Sequence, residues 1–183
     1  MDTVDRLLAS TRELLWERGY VGTSPKAIQQ RSGVGQGSMY HHFQGKSELA
    51  LAAIGQSAAE MRGSVAELLN KGGSACERIT AYLRREREVL KGCPIGRLTQ
   101  DPEIIADPQL RAPVDETLTW VRTRLAELLA EGRTNGEFAD DLDPEAVAAT
   151  LLAALQGGYV LARAANSIEP YQKAIDGALS LLR

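Results

Sequence analysis

A chain of 183 residues, 44% hydrophobic and 25% charged, carries enough apolar material for one or two packed domains and has the composition of an ordinary globular protein. Its net charge of -3 gives no global attraction to nucleic acid, so any such binding must come from a local patch. Two cysteines, Cys76 and Cys93, are too few for a disulfide framework, the N-terminus lacks a basic, apolar leader, and no apolar run reaches the roughly 18 residues of a membrane span; a cytoplasmic protein with reduced thiols and no membrane partner is expected.

Helical spacing dominates, and no strand is expected. Residues 3–18 place Val4, Leu7, Leu8, Thr11, Leu14 and Leu15 on one face, and Gly19 ends the run. Thr23-Ser24-Pro25 is a hydroxyl cap followed by a first-turn proline, which predicts a short helix over 25–31. Ser32-Gly33-Val34-Gly35 makes a turn, and a second short helix follows over 36–42. Lys46 opens a long helix to about Asn70.

Beyond Gly72-Gly73, residues 74–91 read as a helix with Ile79, Leu83 and Leu90 inward and an Arg/Glu-rich outer face. Pro94, Gly96, Pro102, Pro108 and Pro113 break 92–113, which reads as a loop with one or two helical turns. A helix is expected over 114–131. Asp143-Pro144 caps another over 145–166, apolar on two sides and therefore buried on two sides. A last helix is expected over 168–182. The fold class is thus all-α, divided into an N-terminal three-helix module over 1–47 and a larger helical domain over 48–183.

The stretch SGVGQGSMYHHFQGKS, residues 32–47, raises the sharpest chemical question. Gly45-Lys46-Ser47 resembles the end of a phosphate-binding loop, but the first glycine that motif requires falls on Tyr40. The dinucleotide fingerprint fails in the same way, and both motifs need a preceding strand. His41 and His42 are neighbours and do not face each other on a helix, so they make no metal pair. No nucleophile-base arrangement, carboxylate pair or cofactor loop survives inspection, so neither an enzyme nor a cofactor is expected.

Two short helices joined by a Gly-containing turn read as helix-turn-helix, with the second helix entering the major groove of DNA. Gln36 and Ser38 suit base edges or phosphate, Gly37 lets backbones approach closely, and Tyr40, His41 and Lys46 suit phosphate oxygens. Met39 and Phe43 are expected in the core, and Trp16 in the scaffold. Residues 1–50 hold six Lys/Arg against five acids, a local +1 in an acidic chain.

This segment resembles the DNA-binding domain of the TetR family of one-component transcriptional regulators. The resemblance rests on Gly19-Tyr20, Thr23, Ile28, Gly33-Val34, Gly37-Ser38-Met39-Tyr40-His41-His42-Phe43, Lys46 and Leu49. GCPIGRLTQ and LLAALQGGYVLARAA resemble its LmrA/YxaF-like branch. Pro25, Gln29, Ser32 and Gly35 depart from the family pattern, and Gly35 leaves the second short helix without a side-chain cap.

The resemblance implies DNA contacts from Thr23, Gln36, Gly37, Ser38, Tyr40, His41 and Lys46, a homodimer on palindromic double-stranded operator DNA, and release by a small-molecule effector. The two C-terminal helices are expected to dimerise through Leu151, Leu155, Gly158, Ala162, Tyr171, Ile175 and Leu179. Polar and aromatic residues on otherwise apolar helices, namely Tyr82, Trp120, Gln156, Tyr159 and Arg163, are the candidate effector pocket. The competing reading is a helical ligand- or partner-binding protein with redox sensing through Cys93.

Overall fold

The computed structural model describes residues 2–182; Met1 and Arg183, the outer ends of the two expected domains, lie outside the described residues. The elements are α1 Thr3–Arg18, α2 Pro25–Ser32, α3 Gln36–His42, α4 Lys46–Leu69, α5 Ala75–Arg84, a 3-10 turn Gly96–Gln100, α6 Pro102–Ala106, α7 Pro108–Thr134, α8 Pro144–Ala165 and α9 Glu169–Ser180. No strand occurs among the described residues. The chain divides into two compact units. One holds residues up to Glu60 together with Cys93–Thr117; the other holds Met61–Gly92 and residues from Leu118 onward. The boundary expected near residue 47 therefore does not coincide with compactness: α4 continues past it, and a later segment returns to the first unit.

In the first unit, α1 starts on a reciprocal cap. The Asp2 carboxylate accepts the Asp5 N–H at 2.7 Å, and the Asp5 carboxylate accepts the Asp2 N–H at 3.1 Å. Leu7, Leu14, Ile28, Met39, Leu49 and Ile54 fill the core shared by α1 to α4. The Arg12 guanidinium reaches from α1 to α4, donating to Ser57 at 3.1 Å and pairing with both oxygens of Glu60. The returning segment adds Ile95, Leu98, Ile104, Leu110 and Val114, all buried.

Helix α7 begins six residues before the expected start and contains Pro113. Pro113 lies past the first turn and costs the helix a hydrogen bond, about 3 kcal/mol, which the burial of Leu110 and Val114, each worth about 2 kcal/mol, offsets. Asp107 caps this helix through the Gln109 and Leu110 N–H groups.

In the second unit, α5 stops at Arg84 rather than continuing to 91, and Leu90 is exposed. The run RRERE, 84–88, offers no apolar residue for more than a turn, so nothing there buries a continued helix. Arg87 instead folds back and donates to the carbonyls of Tyr82 (2.6 Å) and Leu83 (2.9 Å), which a longer helix would have used. Helices α8 and α9 pack against each other along their length. Gly158 makes this possible: a Cβ there would stand 3.0 Å from the Tyr171 ring and 3.6 Å from its Cα. By length and composition alone α8 is apolar enough to cross a bilayer, contrary to the expectation that no run reaches a span.

Candidate nucleic-acid interface and effector module

Helix α2 is held by the Ser24 hydroxyl, which accepts the Ala27 N–H at 3.2 Å, and Pro25 occupies its first turn. Its C-terminal end is fastened to α1. The Arg6 guanidinium donates to the Ser32 carbonyl through Nε at 3.0 Å and through a terminal nitrogen at 2.5 Å. Gly33 follows at φ 64, a left-handed turn in which a Cβ would also strike Arg6. Across the same pair of helices Glu17 accepts from Arg31 at 2.8 Å and raises the Arg31 pKa further. The Ser32 hydroxyl accepts the Val34 N–H at 3.2 Å, and α3 then begins without a side-chain cap, as expected from Gly35.

On α3 a single residue, Met39, is buried, with its sulfur 3.8 Å from the Gln29 amide. Gln36, Gly37, Ser38, Tyr40, His41 and His42 are exposed, and Phe43 is half-buried. A Cβ added at Gly37 would meet nothing. Lys46 is half-buried at the head of α4, and its ammonium lies 3.8 Å above the Tyr20 ring, a cation–π contact that ties it to the link between α1 and α2. The structure thus brings Gln36, Gly37, Ser38, Tyr40, His41 and Lys46 onto one part of the first unit.

Thr23 is a correction. It is 2% exposed, and its hydroxyl donates to the Gly19 carbonyl at 2.7 Å, so it neither caps α2 nor offers its side chain to DNA. The inward turn follows from the α1–α2 link, where its N–H is also taken, by the Tyr20 carbonyl at 3.0 Å. Lys26, exposed in the first turn of α2, is a cation that the expected set of DNA contacts omits.

The seven residues expected to form the dimer surface are also corrected. Leu151, Leu155, Gly158, Ala162, Tyr171, Ile175 and Leu179 are all buried within the single chain, with Gly158 against the Tyr171 ring. The two-sided apolarity is real, but the sides are exchanged. The side left open carries Ala153, Gly157, Val160, Leu161 and Ala164, with Val160 and Leu161 53% and 54% exposed.

Of the candidate effector residues, Tyr82 and Tyr159 are buried, Trp120 and Gln156 are half-buried, and Arg163 is exposed beside Gly92. Tyr159 packs on Tyr171 with ring centroids 5.1 Å apart, and Tyr82 lies under the guanidinium groups of Arg85 and Arg87 at 5.5 and 5.2 Å. None of the five lines the cavity of about 540 Å³ in the second unit; that cavity lies between the end of α5, the loop after it, and α9. The arginine run, expected as a solvated helix face, lines it instead. Cys93 is 5% exposed and its sulfur accepts the Gly96 N–H at 3.2 Å, the setting of a packed thiol rather than an accessible one.

Known proteins share this arrangement over the whole chain. Residues 7–53 match the family described as bacterial regulatory proteins, tetR family, and residues 73–178 match the tetracyclin repressor-like C-terminal domain. The chain is 26% identical over 181 residues to the HTH-type transcriptional repressor NemR of Escherichia coli, covering 95% of this chain and 90% of that protein. It is 25% identical to the HTH-type transcriptional regulator LmrA of Bacillus subtilis, covering 92% and 90%. The crystal structure of reduced E. coli NemR superposes with a TM-score of 0.84 over 97% of this chain and 95% of that one, at 26% identity. A cysteine-substituted CifR, complexed with a 26-bp double-stranded operator DNA, has the same fold at 23% identity and a TM-score of 0.81, covering 98% and 96%. With both the N-terminal and the C-terminal models matched, the second over more than half of the chain, this protein belongs to the TetR family of bacterial transcriptional regulators.

Proposed function

We propose that the protein is a dimeric repressor that binds a palindromic operator through α3 and is released when a small molecule occupies its second unit. The observation that carries the first half is the division of labour on α3: Met39 alone anchors the helix, while Gln36, Gly37, Ser38, Tyr40 and His41 are left for a partner. Gln36 and Ser38 lie at the N-terminal end that meets base edges, and Tyr40, His41 and Lys46 reach phosphates. NemR, a repressor by name, and CifR, with its operator DNA, support the same reading. Such a regulator works where bacterial DNA is, in the cytoplasm.

One helix-turn-helix buries too little surface for tight, specific binding, and a second copy one helical turn away supplies the rest. The open side of α8 supports this. Val160 and Leu161, flanked by Ala153, Gly157 and Ala164, form an apolar strip whose small residues let a symmetry-related helix approach closely. A partner helix over this strip also accounts for the bilayer-like composition of α8. An effector acts by population shift: it must bind better to an arrangement in which the paired α3 helices are wrongly spaced for adjacent major grooves. Helix α4, whose residues belong to both units, is the natural lever.

Fluorescence anisotropy with a labelled duplex from the protein's own promoter region tests this. Binding is expected to weaken steeply with salt, with log K falling about linearly in log salt concentration. Binding that ignores salt, or a single chain in sedimentation with and without duplex, sinks the reading.

A further inference from the structure

Lys46 stands at the head of α4, and Tyr20 decides where its charge sits. The ammonium lies 3.8 Å from the centroid of the Tyr20 ring. Lys46 has no ion-pair partner among the described residues, so the ring is its tether and its N–H donors remain for an anion. Lysine carries its charge on a flexible four-carbon stem. A tether that selects one placement spares part of the cost of ordering that stem on a phosphate.

Tyr20 is itself held on several sides. It is 8% exposed, and its hydroxyl is hydrogen-bonded to the Ser47 side chain. Its carbonyl accepts the Thr23 N–H at 3.0 Å. Its own N–H and that of Val21 donate to one carboxylate oxygen of Asp101, at 2.7 and 2.9 Å. Asp101 is 8% exposed, too covered to meet DNA itself, and all of these residues belong to the first unit.

Charge alone would give Asp101 the opposite effect. Burial, and after it Glu103, Asp107 and Asp101, raise the Tyr20 pKa against the pull of the Ser47 hydrogen bond. The field of the Asp101 carboxylate therefore reaches the ring beneath Lys46, and a negative charge there repels phosphate.

We infer that Asp101 is a positioning residue for operator binding: by holding Tyr20 it sets the Lys46 ammonium where a phosphate oxygen can meet it. The phosphate contact rests on the repressor reading; the placement of Lys46 does not.

Fluorescence anisotropy of the full-length protein with a duplex from its own promoter region tests the contact. Asp101→Asn keeps the side-chain volume and removes the repelling charge, but its single oxygen cannot serve all the donors of the carboxylate. Binding is expected to weaken about threefold or more, with the salt slope falling toward that of Lys46→Ala, by up to about 0.9 for one phosphate contact. In the Lys46→Ala background the same substitution should change binding little. Charge alone predicts tighter binding, and a merely structural role predicts the same loss in both backgrounds. Tyr20→Leu keeps apolar bulk but removes the ring, is expected to behave as Asp101→Asn does, and carries the test if that variant does not fold.

The placement is read without DNA. In the NMR spectrum of the free protein the Lys46 ε-methylene signals should be shifted upfield by the ring current. In either variant they should move toward those of the exposed Lys26, Lys71 and Lys173. Parent-like or tighter operator binding by Asp101→Asn or Tyr20→Leu, an equal loss in the Lys46→Ala background, or Lys46 signals that stay in place overturns the inference. A parent that binds no duplex sinks the repressor reading, while the Lys46 signals still report on the placement.

Discussion

One oxygen of the Asp101 carboxylate accepts the backbone N–H of Tyr20 at 2.7 Å and that of Val21 at 2.9 Å, joining a residue just after the 3-10 turn to the end of α1 eighty residues earlier. The other oxygen caps α6 through the N–H groups of Glu103 and Ile104. Arg97 strengthens the same seam by donating to the Trp16 carbonyl. Gly19 is confined by this arrangement: a Cβ there would lie 2.8 Å from the carboxylate, at a φ of 74. Four backbone donors therefore depend on one buried carboxylate. Asp101→Ala is expected to destabilise the protein by about 3 kcal/mol, because hydrogen bonds to a charged group are worth roughly 1.5–3 kcal/mol and do not add. Urea unfolding measures it, and a loss below about 1 kcal/mol would show that water replaces the carboxylate.

Within the proposed interface, Gln36→Ala and Lys46→Ala should separate. Lys46→Ala is expected to weaken binding to every duplex and to lower the salt slope by about one, as loss of a phosphate contact does. Gln36→Ala should chiefly change sequence preference, costing about 1–3 kcal/mol on the preferred site. Both proteins must first be shown to be folded, because Lys46 also rests on Tyr20. Operator binding equal to the parent in both would remove these residues from the interface. Thr23→Ser, which preserves the inward hydroxyl, should bind as the parent does; a large loss would restore Thr23 as a contact.

The exposed strip of α8 predicts a clean effect on assembly. Val160→Glu and Leu161→Glu leave the intrachain core untouched, since both side chains are half in solvent in the single chain. Sedimentation should show monomers, with operator affinity reduced at least tenfold and helical content retained. A dimer that survives both substitutions places the interface elsewhere.

Gly158→Val tests the opposite face. A branched side chain would be driven into the Tyr171 ring, and overpacking of this kind costs about 1–3 kcal/mol. Gly157→Ala, whose Cβ meets nothing in the chain, should be neutral or slightly stabilising in a monomer, by helix propensity. Thermal unfolding of the pair distinguishes the two glycines that sequence alone presents as equivalent.

Much of this molecule is legible in the order of its residues. The bounds of α1 and α3 follow from apolar spacing and glycine stops, which are local, and the helix-turn-helix follows from the short turn between two short helices. The exposed set on α3 follows as well, because a seven-residue helix with one large apolar side chain has little choice of which face to bury. What the residues could not announce is any outcome decided by a distant partner. Pro113 reads as a break, and stays helical because Leu110 and Val114 find a core. Residues 85–91 read as helix, and unwind because Arg87 satisfies the last carbonyls of α5 itself.

The same reason exchanges the two faces of α8: periodicity tells that a helix is apolar on both sides, but only the docking of Tyr171 on Gly158 tells which side its own chain covers. Thr23 turns inward, and the arginine run comes to line a cavity, for equally nonlocal causes. The sequence by itself determined the all-α class and the helix-turn-helix, since both rest on interactions a few residues apart. Tertiary structure alone decided which surfaces stay open, because burial is settled by the whole chain at once.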